Sequence, residues 1–306
     1  MVRSPLNYTG GKFKLLSQIL PLFPNDINKF VDLFCGGCSV GLNVNAGSII
    51  YNDYDETLIS MYETIRSLDV DVLLGLVRRI IIEYGLSLTS SNGYEFYGCE
   101  SNTGLADFNR EKYLKLRRDF NQKKKNKEFD LNYYLMFYVL TVYSFNNQIR
   151  FNSKGEFNLP VGKRDFNSNM EEKLKGFNRR IQKQNCEFSC MDYSKFDVIS
   201  LSPRDFVYVD PPYLISCATY NEQGGWTFED ERKLLSFLDE LTNNNIRFAL
   251  SNVLSNKGKD NLLLKDWLID NSDRYDCFNI ENSFSNSSYQ ARNRDMLTKE
   301  VIVTNY

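Results

Sequence analysis

The sequence predicts an α/β fold with a mostly parallel sheet and a mainly helical insertion. Short runs of β-branched and aromatic residues, each ended by Gly, Pro, Asp or Asn, are typical of buried strands, and helical stretches lie between several of them. The predicted strands cover residues 29–34, 48–52, 187–190, 206–209, 246–250 and 301–304. The main predicted helices are Asp55–Leu68, Asp71–Tyr84, Asp107–Lys125, Leu131–Phe145, Asn169–Lys183 and Glu229–Leu241. We assign residues 1–55 and 166–306 to the sheet domain and residues 56–165 to the insertion.

Composition limits the classes of protein that the chain can belong to. Its 306 residues are 42% apolar and 14% aromatic, enough for a large core. We expect a cytoplasmic protein without a membrane partner, because no segment approaches the ~18 apolar residues of a span and the first residues lack a signal peptide's apolar region. Net charge is only −2, but residues 110–183 hold 18 Lys/Arg against 8 Asp/Glu, which favours a polyanionic partner. The sequence does not indicate an oligomeric state.

Histidine is absent from the chain, which excludes Ser-His, Cys-His and His-metal mechanisms. Seven cysteines with irregular spacing could be drawn as a zinc site at Cys35, Cys38, Cys186 and Cys190. Reduced, mostly buried thiols are the favoured interpretation, so we expect no metal.

Two glycine-containing segments near the start indicate a ligand site. Gly10 and Gly11 let a ligand approach the backbone where a helix begins, beside the ring of Tyr8 and the charge of Lys12. The strand at 29–34 runs into the glycine loop 35–41, and a helical stretch to about residue 46 is expected to follow. Asp53 ends the next strand about 20 residues on, a spacing that suits ribose hydroxyls. No phosphate-binding lysine follows the glycines, so a triphosphate is not expected.

Residues 144–167 interleave aromatic, amide and basic side chains, and Ser153-Lys154-Gly155 predicts a hairpin turn. Amides and arginine can contact base edges, while aromatic rings stack on bases or wedge between them. A polar surface hairpin is the alternative, but five asparagines in this stretch have no evident structural role. The segment therefore favours nucleic-acid contact.

The sequence Asp210-Pro211-Pro212-Tyr213 directly follows the buried strand 206–209. Ligands of open α/β sheets bind at such carboxyl ends. Asp210 and the Pro211 carbonyl can accept hydrogen bonds from an exocyclic amine, and Tyr213 can stack on its ring. The tetrapeptide by itself is equally compatible with a purely structural role, in which the strand ends in an Asp-Pro turn and the tyrosine packs in the core.

Methyl transfer fits this combination best. A nucleoside-carrying donor would lie on the glycine loop and Asp53, with Asp192 accepting from its adenine amine. S-adenosylmethionine carries an already activated methyl group, so the protein need only align the donor with an acceptor nitrogen.

Taken together, these motifs resemble those of the Dam-type DNA N6-adenine methyltransferases of the alpha group. The resemblance covers nearly the whole chain through Asn7–Lys12, Asp32–Gly41, Asn52-Asp53, Phe145–Gly162, Asp192-Tyr193, Asp210–Tyr213 and Ser251-Asn252. It implies a Rossmann-like sheet with helices on both faces, S-adenosylmethionine as methyl donor, a target-recognition insertion, and double-stranded DNA as substrate, with a cognate restriction endonuclease as a possible partner.

The resemblance also implies roles for individual residues. The expected donor-binding residues are Tyr8, Gly11, Lys12, Asp32, Phe34, Gly36, Asp53, Asp192 and Tyr193. Asp210, Pro211, Pro212 and Tyr213 are expected to hold a flipped adenine. The expected DNA-contacting residues are Phe145, Asn146, Asn147, Arg150, Asn152, Lys154 and Asn158.

Two departures from the family pattern stand out. Cys38 replaces the last glycine of the usual loop, and Asn147-Gln148 stand where GATC-methylating relatives usually have Gly-Leu. GATC is the default target only. N4-cytosine methylation and a catalytically silent nucleic-acid-binding relative remain alternatives.

Overall fold

The structure, a computed structural model, describes residues 1–100, 102–215, 225–281 and 298–306. The described chain forms two compact units. Unit 1 comprises residues 1–11, 36–42 and 55–188, and unit 2 comprises residues 12–35, 43–54 and 189–306.

Eight strands of the described residues form one sheet. They are β1 (Lys29–Asp32), β2 (Ser48–Asp53), β3 (Cys186–Cys190), β4 (Phe206–Val209), β5 (Arg247–Asn256), β6 (Lys259–Asp260), β7 (Asp276–Ile280) and β8 (Lys299–Thr304). Their order across the sheet is β3-β2-β1-β4-β5-β8-β7, with β6 paired to β5. The pairs β1–β2, β1–β4 and β4–β5 are parallel, whereas β8 pairs antiparallel with β5 and β7. The mostly parallel sheet predicted from the sequence is thereby confirmed.

The helices of the described residues divide between the two units. Unit 1 is mainly helical, and three of its helices pack against the apolar helix Leu131–Tyr143. The helices are α1 (Leu16–Ile19), α2 (Glu56–Ser67), α3 (Val70–Glu83), α4 (Thr89–Asn92), α5 (Ala106–Asn126), α6 (Leu131–Tyr143), α7 (Ser168–Lys183), α8 (Phe228–Asn243) and α9 (Leu262–Asp270). No helix in the described parts of the chain is both long and apolar enough to cross a membrane.

Strand β4 is buried on both faces, which explains its unbroken apolar sequence. Successive side chains of a strand point to opposite faces. Val207 and Val209 join the core that also includes residues of α8 and α9. Phe206 and Tyr208 instead pack on Phe23, which follows the short helical turns at the start of unit 2. This double burial fixes the end of β4, and therefore the position of the next residue, Asp210.

Four details differ from the sequence-based expectations. No helix follows the glycine loop, and residues 39–43 form turns instead. Asparagine, glycine and β-branched valine, which have low helix propensity, dominate that stretch. The hairpin consists of two isolated bridges, Ser144↔Val161 and Phe151↔Phe157. Neither α9 nor β7 was predicted. From the sequence alone we also expect a lid at 220–228, and its first residues, 220–224, lie outside the described residues.

Candidate active site

A cluster of charged and hydroxyl side chains surrounds Asp210 at the carboxyl end of β4. Lys12 Nζ lies 2.8 Å from Asp210 Oδ1, and the Tyr213 hydroxyl donates a hydrogen bond to the same oxygen at 3.0 Å. The Lys12 side chain is 5% exposed and that of Asp210 is 18% exposed, so water screens this pair weakly. The carboxylate is therefore held in one orientation by two donors on Oδ1.

The cluster contains two residues to which the sequence had assigned no role. Glu300 Oε1 lies 3.7 Å from Lys12 Nζ and 3.3 Å from the Tyr213 hydroxyl. Ser251 Oγ lies 3.2 Å from that hydroxyl. A phenol has one proton and can donate to only one carboxylate at a time. Glu300 is buried in the otherwise apolar core of β8, and an acid in such a strand is the signal that could have identified it. We call Lys12, Asp210, Tyr213, Ser251 and Glu300 the Asp210 cluster.

The pKa values in the cluster follow from burial and charge. Burial raises the pKa of Asp210 above its ordinary value, and the charge and hydrogen bond of Lys12 oppose that rise. Burial is the largest single influence on Lys12 and lowers its pKa. The negative charge and hydrogen bond of Asp210, together with contributions from Tyr208 and Glu300, outweigh burial, so this pKa lies above its ordinary value. Lys12 therefore keeps its charge, and Asp210 takes up a proton more readily than an exposed aspartate.

The Asp-Pro-Pro-Tyr segment itself has graded exposure. Pro211 is buried, Pro212 is exposed and Tyr213 is half-buried. Lys12 Nζ lies 5.0 Å from the centre of the Tyr213 ring, within the range of a cation–π contact. The hydroxyl of Tyr213 thus belongs to the polar cluster. The sequence had suggested only a stacking role for this residue.

The other strand ends of unit 2 carry several of the expected donor-binding residues. Asn52, in β2, joins two of these ends. Its side-chain amide donates to the Leu33 carbonyl at 2.9 Å and the Met191 carbonyl at 3.1 Å, and it accepts from the Met191 amide at 3.2 Å. Segments that were assigned separately from the sequence are thereby held together. Asp32 is buried at the end of β1, and Asp53 is half-buried at the end of β2.

Asp192 and Tyr193 follow β3. Asp192 Oδ1 accepts hydrogen bonds from the Ser194 amide at 2.9 Å and the Ser194 hydroxyl at 2.6 Å, which hold the pKa of this carboxyl below its usual value. The Tyr193 ring lies 5.2 Å from the Phe34 ring, centre to centre. An acceptor and two aromatic rings therefore stand together at this edge of unit 2.

Three expected donor-binding residues, Tyr8, Gly11 and Gly36, belong to unit 1. The Tyr8 ring packs so closely on the glycine loop that a Cβ at Gly36 would lie 2.6 Å from its Cε1 atom. Gly36 also has φ of +43°, and its carbonyl accepts a hydrogen bond from Tyr62 at 2.7 Å. Gly11 donates from its amide to the Tyr8 carbonyl at 3.1 Å. Glycine is thus required at position 36 by both conformation and space.

Cys38 explains how the loop tolerates the loss of the usual last glycine. Its φ is +59°, in the left-handed region that glycine adopts most easily, and its side chain is fully buried. The loop therefore retains the glycine-like backbone conformation, at a strain of about 1–2 kcal/mol for a residue with a Cβ.

In unit 1, the segment 144–158, which we call the amide-rich hairpin, contains the expected DNA-contacting residues. Phe145 is 47% exposed, and Asn146 and Asn147 have positive φ values of 55° and 54°. Asn147 accepts a hydrogen bond from Asn7 at 2.7 Å and donates one to the Val142 carbonyl. Lys173 donates to Asn7 at 2.6 Å. The turn thus presents an exposed ring on a backbone that asparagine tolerates.

The premise that the asparagines have no structural role was wrong. Asn152 accepts hydrogen bonds from the backbone amides of Lys154 and Glu156, both at 3.0 Å, and so closes the hairpin turn. Arg150 Nε donates to Asn158 Oδ1 at 2.8 Å across the hairpin. Asn167 accepts from the Met170 amide and caps α7. Asparagine favours turns and caps for this reason, so its abundance alone was weak support for base contact.

The sheet with a glycine loop after β1 and an acid-proline-proline-tyrosine segment after β4 is the arrangement of a methyltransferase fold. A family model described as D12 class N6 adenine-specific DNA methyltransferase matches residues 8–282, and the chain belongs to this family.

Individual relatives agree with the family match. The chain is 38% identical over 311 residues to the type II methyltransferase M.FokI of Planomicrobium okeanokoites and 38% identical over 311 residues to the modification methylase StsI of Streptococcus sanguinis. Each alignment covers 100% of this chain but only 43% of the relative's length. The DNA adenine methylase of Escherichia coli strain K12 is 26% identical over 269 residues, which are 87% of this chain and 84% of that protein.

Proposed function

We propose that the protein transfers a methyl group from S-adenosylmethionine to N6 of an adenine that is flipped out of double-stranded DNA. The observation that carries this proposal is the orientation of Asp210. Lys12 and Tyr213 both bind Oδ1, so the carboxylate is fixed where its second oxygen, Oδ2, can accept from an amine. Family membership supports adenine as the acceptor and DNA as the substrate.

The expected donor residues suit the chemistry of S-adenosylmethionine. When bound, this compound supplies a methyl group on a sulfonium sulfur, and the leaving group is a neutral thioether. In unit 2 Asp53 offers acceptors for ribose hydroxyls, Asp192 offers acceptors for the adenine amine, and Phe34 and Tyr193 offer ring faces. Asp32 and Lys12 complete this set, and the proposal also assigns Tyr8, Gly11 and Gly36 to donor binding.

Asp210 and the Pro211 carbonyl would each accept one N–H of the target amine. Both hydrogen bonds draw the nitrogen lone pair out of the aromatic ring and toward the methyl carbon. The N–C bond forms as the S–C bond breaks, and the nitrogen becomes transiently positive. The buried charge of Asp210 stabilises that positive charge, and the surplus proton then passes from the nitrogen to water. Lys12 keeps Asp210 ionised and oriented throughout this step.

For the DNA, we assign residues 56–165 to target recognition and residues 1–55 and 166–306 to catalysis. Phe145 and Asn146 are exposed on the turn, and Lys154 is exposed at the hairpin tip. The remaining DNA-contact candidates are Asn147, Arg150, Asn152 and Asn158, which would have to exchange their internal hydrogen bonds for contacts to the target. GATC is the default target, and Asn147-Gln148 make another sequence equally reasonable.

The names of two relatives, a type II methyltransferase and a modification methylase, support a cognate restriction endonuclease as a partner in the cell. We place the protein in the cytoplasm because its proposed substrate is the DNA of the cell. N4-cytosine methylation is the second candidate, because Asp210, Pro211, Pro212 and Tyr213 could also hold a cytosine amine.

The proposal is tested by sequencing modified bases in DNA from cells that express the protein, with Asp210→Ala as the matched control. We expect N6-methyladenine at one short motif for the wild type and none for the variant. N4-methylcytosine in place of N6-methyladenine would replace the proposal with its alternative. Unmodified DNA, together with calorimetry that detects no S-adenosylmethionine binding, would refute both.

A further inference from the structure

A fully buried carboxyl group outside the Asp210 cluster holds the indole of Trp226. Glu231 lies in the first turn of α8 and is 0% exposed. Its Oε2 accepts a hydrogen bond from Trp226 Nε1 at 2.6 Å. Its Oε1 accepts from Asn261 Nδ2 at 2.7 Å and from Asn252 Nδ2 at 3.2 Å. All three partners are N–H donors, so both oxygens of Glu231 serve as acceptors, and the positive end of the helix favours an acid there.

The Trp226 ring lies beside the two rings that we assign to the methyl donor. Its centre is 6.1 Å from that of Phe34, edge on at 78°, and 6.0 Å from that of Tyr193 at 41°. With Phe34 and Tyr193 themselves 5.2 Å apart, three rings from three different segments of unit 2 meet. Aromatic pairs at such distances and tilts are favourable contacts, but they do not fix the rotation of an indole. The short hydrogen bond to Glu231 does.

Glu231 also reaches the strand that supports the Asp210 cluster. Asn252 is the neighbour in β5 of Ser251, whose hydroxyl lies 3.2 Å from that of Tyr213. One carboxyl group is thus bonded both to a ring beside the expected donor site and to the strand behind the acceptor site.

We propose that Glu231 is a positioning residue, which orients Trp226 as the third ring of the wall against which the donor's adenine packs. This inference rests on the proposed function and adds Trp226 to the donor-binding residues. An amide at position 231 could not replace the carboxyl group. Glutamine has one acceptor oxygen and one NH₂ group, so it would point a donor at either the indole N–H or the two asparagine amides. A buried N–H would then lose its partner.

The chain offers a matched control on the same helix. Asp239 Oδ1 and Oδ2 each lie 3.3 Å from Nε1 of the other tryptophan, Trp267, and Oδ1 accepts from the Tyr275 hydroxyl at 2.7 Å. Asp239→Asn therefore makes the same chemical change, at a residue that also links a tryptophan to a second element, but away from Phe34 and Tyr193. Comparing it with Glu231→Gln separates donor positioning from general stabilisation of α8.

Calorimetry with S-adenosylmethionine is the primary measurement. We expect Glu231→Gln to raise the donor Kd about tenfold, the effect of one lost hydrogen bond and a displaced ring, with Kd for a target duplex unchanged. We expect Asp239→Asn to leave the donor Kd within about twofold, whatever it does to the Tm. Equal donor affinity in both variants, with loss of Tm only, would make Glu231 a structural residue and overturn the inference.

A double-mutant cycle tests whether Glu231 acts through Trp226. Trp226→Phe keeps a ring but removes the N–H, so it should weaken donor binding by itself. In that background Glu231→Gln should add less than about twofold, because the partner is already gone. Full additivity would overturn the inference. Should Glu231→Gln fail to fold, Trp226→Phe compared with Trp267→Phe carries the test, and equal donor affinity of these two variants would also overturn it.

Fluorescence gives an independent readout, since the chain has only 2 tryptophans. In the Trp267→Phe protein all indole emission comes from Trp226, and we expect it to change on addition of S-adenosylmethionine. An unchanged spectrum with saturating donor would contradict contact. A wild-type protein that binds no donor would overturn the proposed function and this inference with it, whereas donor binding that is insensitive to position 231 would overturn the inference alone.

Discussion

The Asp210 cluster and the amide-rich hairpin are both polar, but their side chains differ in how deeply they are buried and in how firmly internal hydrogen bonds hold them. In the cluster, Lys12 and Asp210 are largely shielded from water and bonded to each other at 2.8 Å. In the hairpin, Arg150 and Asn158 are half-buried and pair with each other at 2.8 Å, while Phe145 is exposed. A buried charged pair keeps its geometry before substrate arrives, whereas a partly exposed neutral acceptor can be exchanged for a base. The first arrangement suits catalysis and the second suits recognition.

The largest expected effect comes from the preorganised region. Asp210→Ala should lower the single-turnover rate of methyl transfer by about 10²–10³-fold or more, because it removes the charge that stabilises the methylated nitrogen. Donor affinity should stay nearly unchanged, since Asp210 faces the acceptor. Rapid-quench kinetics and calorimetry on one preparation check both points. A loss of donor affinity equal to the loss of rate would place Asp210 in the donor site instead.

Lys12→Met probes the same region through stability and pH. It leaves a buried carboxylate without its cation, and we expect a loss of about 3–5 kcal/mol in the free energy of unfolding at neutral pH. The pKa of Asp210 is raised by burial and held down by Lys12, so it should rise further in the variant. The ionised form then costs stability, which is lost as pH rises through that pKa and regained below it.

Urea unfolding of the wild type and of Lys12→Met at several pH values checks this linkage. The stability difference should shrink as pH falls and Asp210 becomes protonated in both proteins. In the pH profile of the transfer rate, the acid limb should lie above the ~3.9 of an ordinary aspartate and move higher still in the variant. A stability difference that stays constant with pH would show that Lys12 acts by packing alone.

The Asp210 cluster and the amide-rich hairpin also differ in how much of each could be predicted from the sequence. The end of β4 was predictable, because a doubly buried strand followed by two prolines leaves little freedom for the next residue. An acid in an apolar strand marked Glu300, but its position beside Lys12 was not predictable, because antiparallel pairing of β8 with β5 is a long-range choice that no local pattern encodes. In the hairpin, the turn at Ser153-Lys154-Gly155 was predicted correctly. The structural roles of Asn152 and Asn158 were not, because they depend on contacts within the hairpin that composition cannot distinguish from base recognition.

Arg150→Ala tests the exchangeable region. We expect a loss of about 1–3 kcal/mol in discrimination at one base pair, with little change in the rate on the preferred sequence at saturating DNA. Asn158→Ala is the matched control, because it breaks the same hairpin hydrogen bond but keeps the guanidinium. Competition with singly substituted duplexes measures both. If the two variants lose discrimination equally, Arg150 shapes the hairpin and does not contact a base.

The smallest expected effect is that of Tyr213→Phe, which removes only one of the two contributions of this residue. Tyr213 has a ring that could stack on a flipped adenine and a hydroxyl that donates to Asp210 at 3.0 Å. Tyr213→Phe keeps the ring and removes one of two donors to Oδ1, so we expect a loss of about 0.5–1.5 kcal/mol in transition-state stabilisation. Tyr213→Ala removes both and should lose about 1–3 kcal/mol more from stacking.

A mismatch at the target adenine separates the two contributions of Tyr213, because it makes flipping cheap. The Tyr213→Ala defect should be partly rescued on the mismatched duplex, since stacking is then needed less. The Tyr213→Phe defect should be the same on both duplexes, because the hydroxyl acts on Asp210 and not on the base. With 2-aminopurine at the target position, fluorescence should rise on binding of the wild type and of Tyr213→Phe, and less with Tyr213→Ala. A Phe defect that the mismatch rescues would mean that the hydroxyl contacts the flipped base, and the orientation of Asp210 would then depend on Lys12 alone.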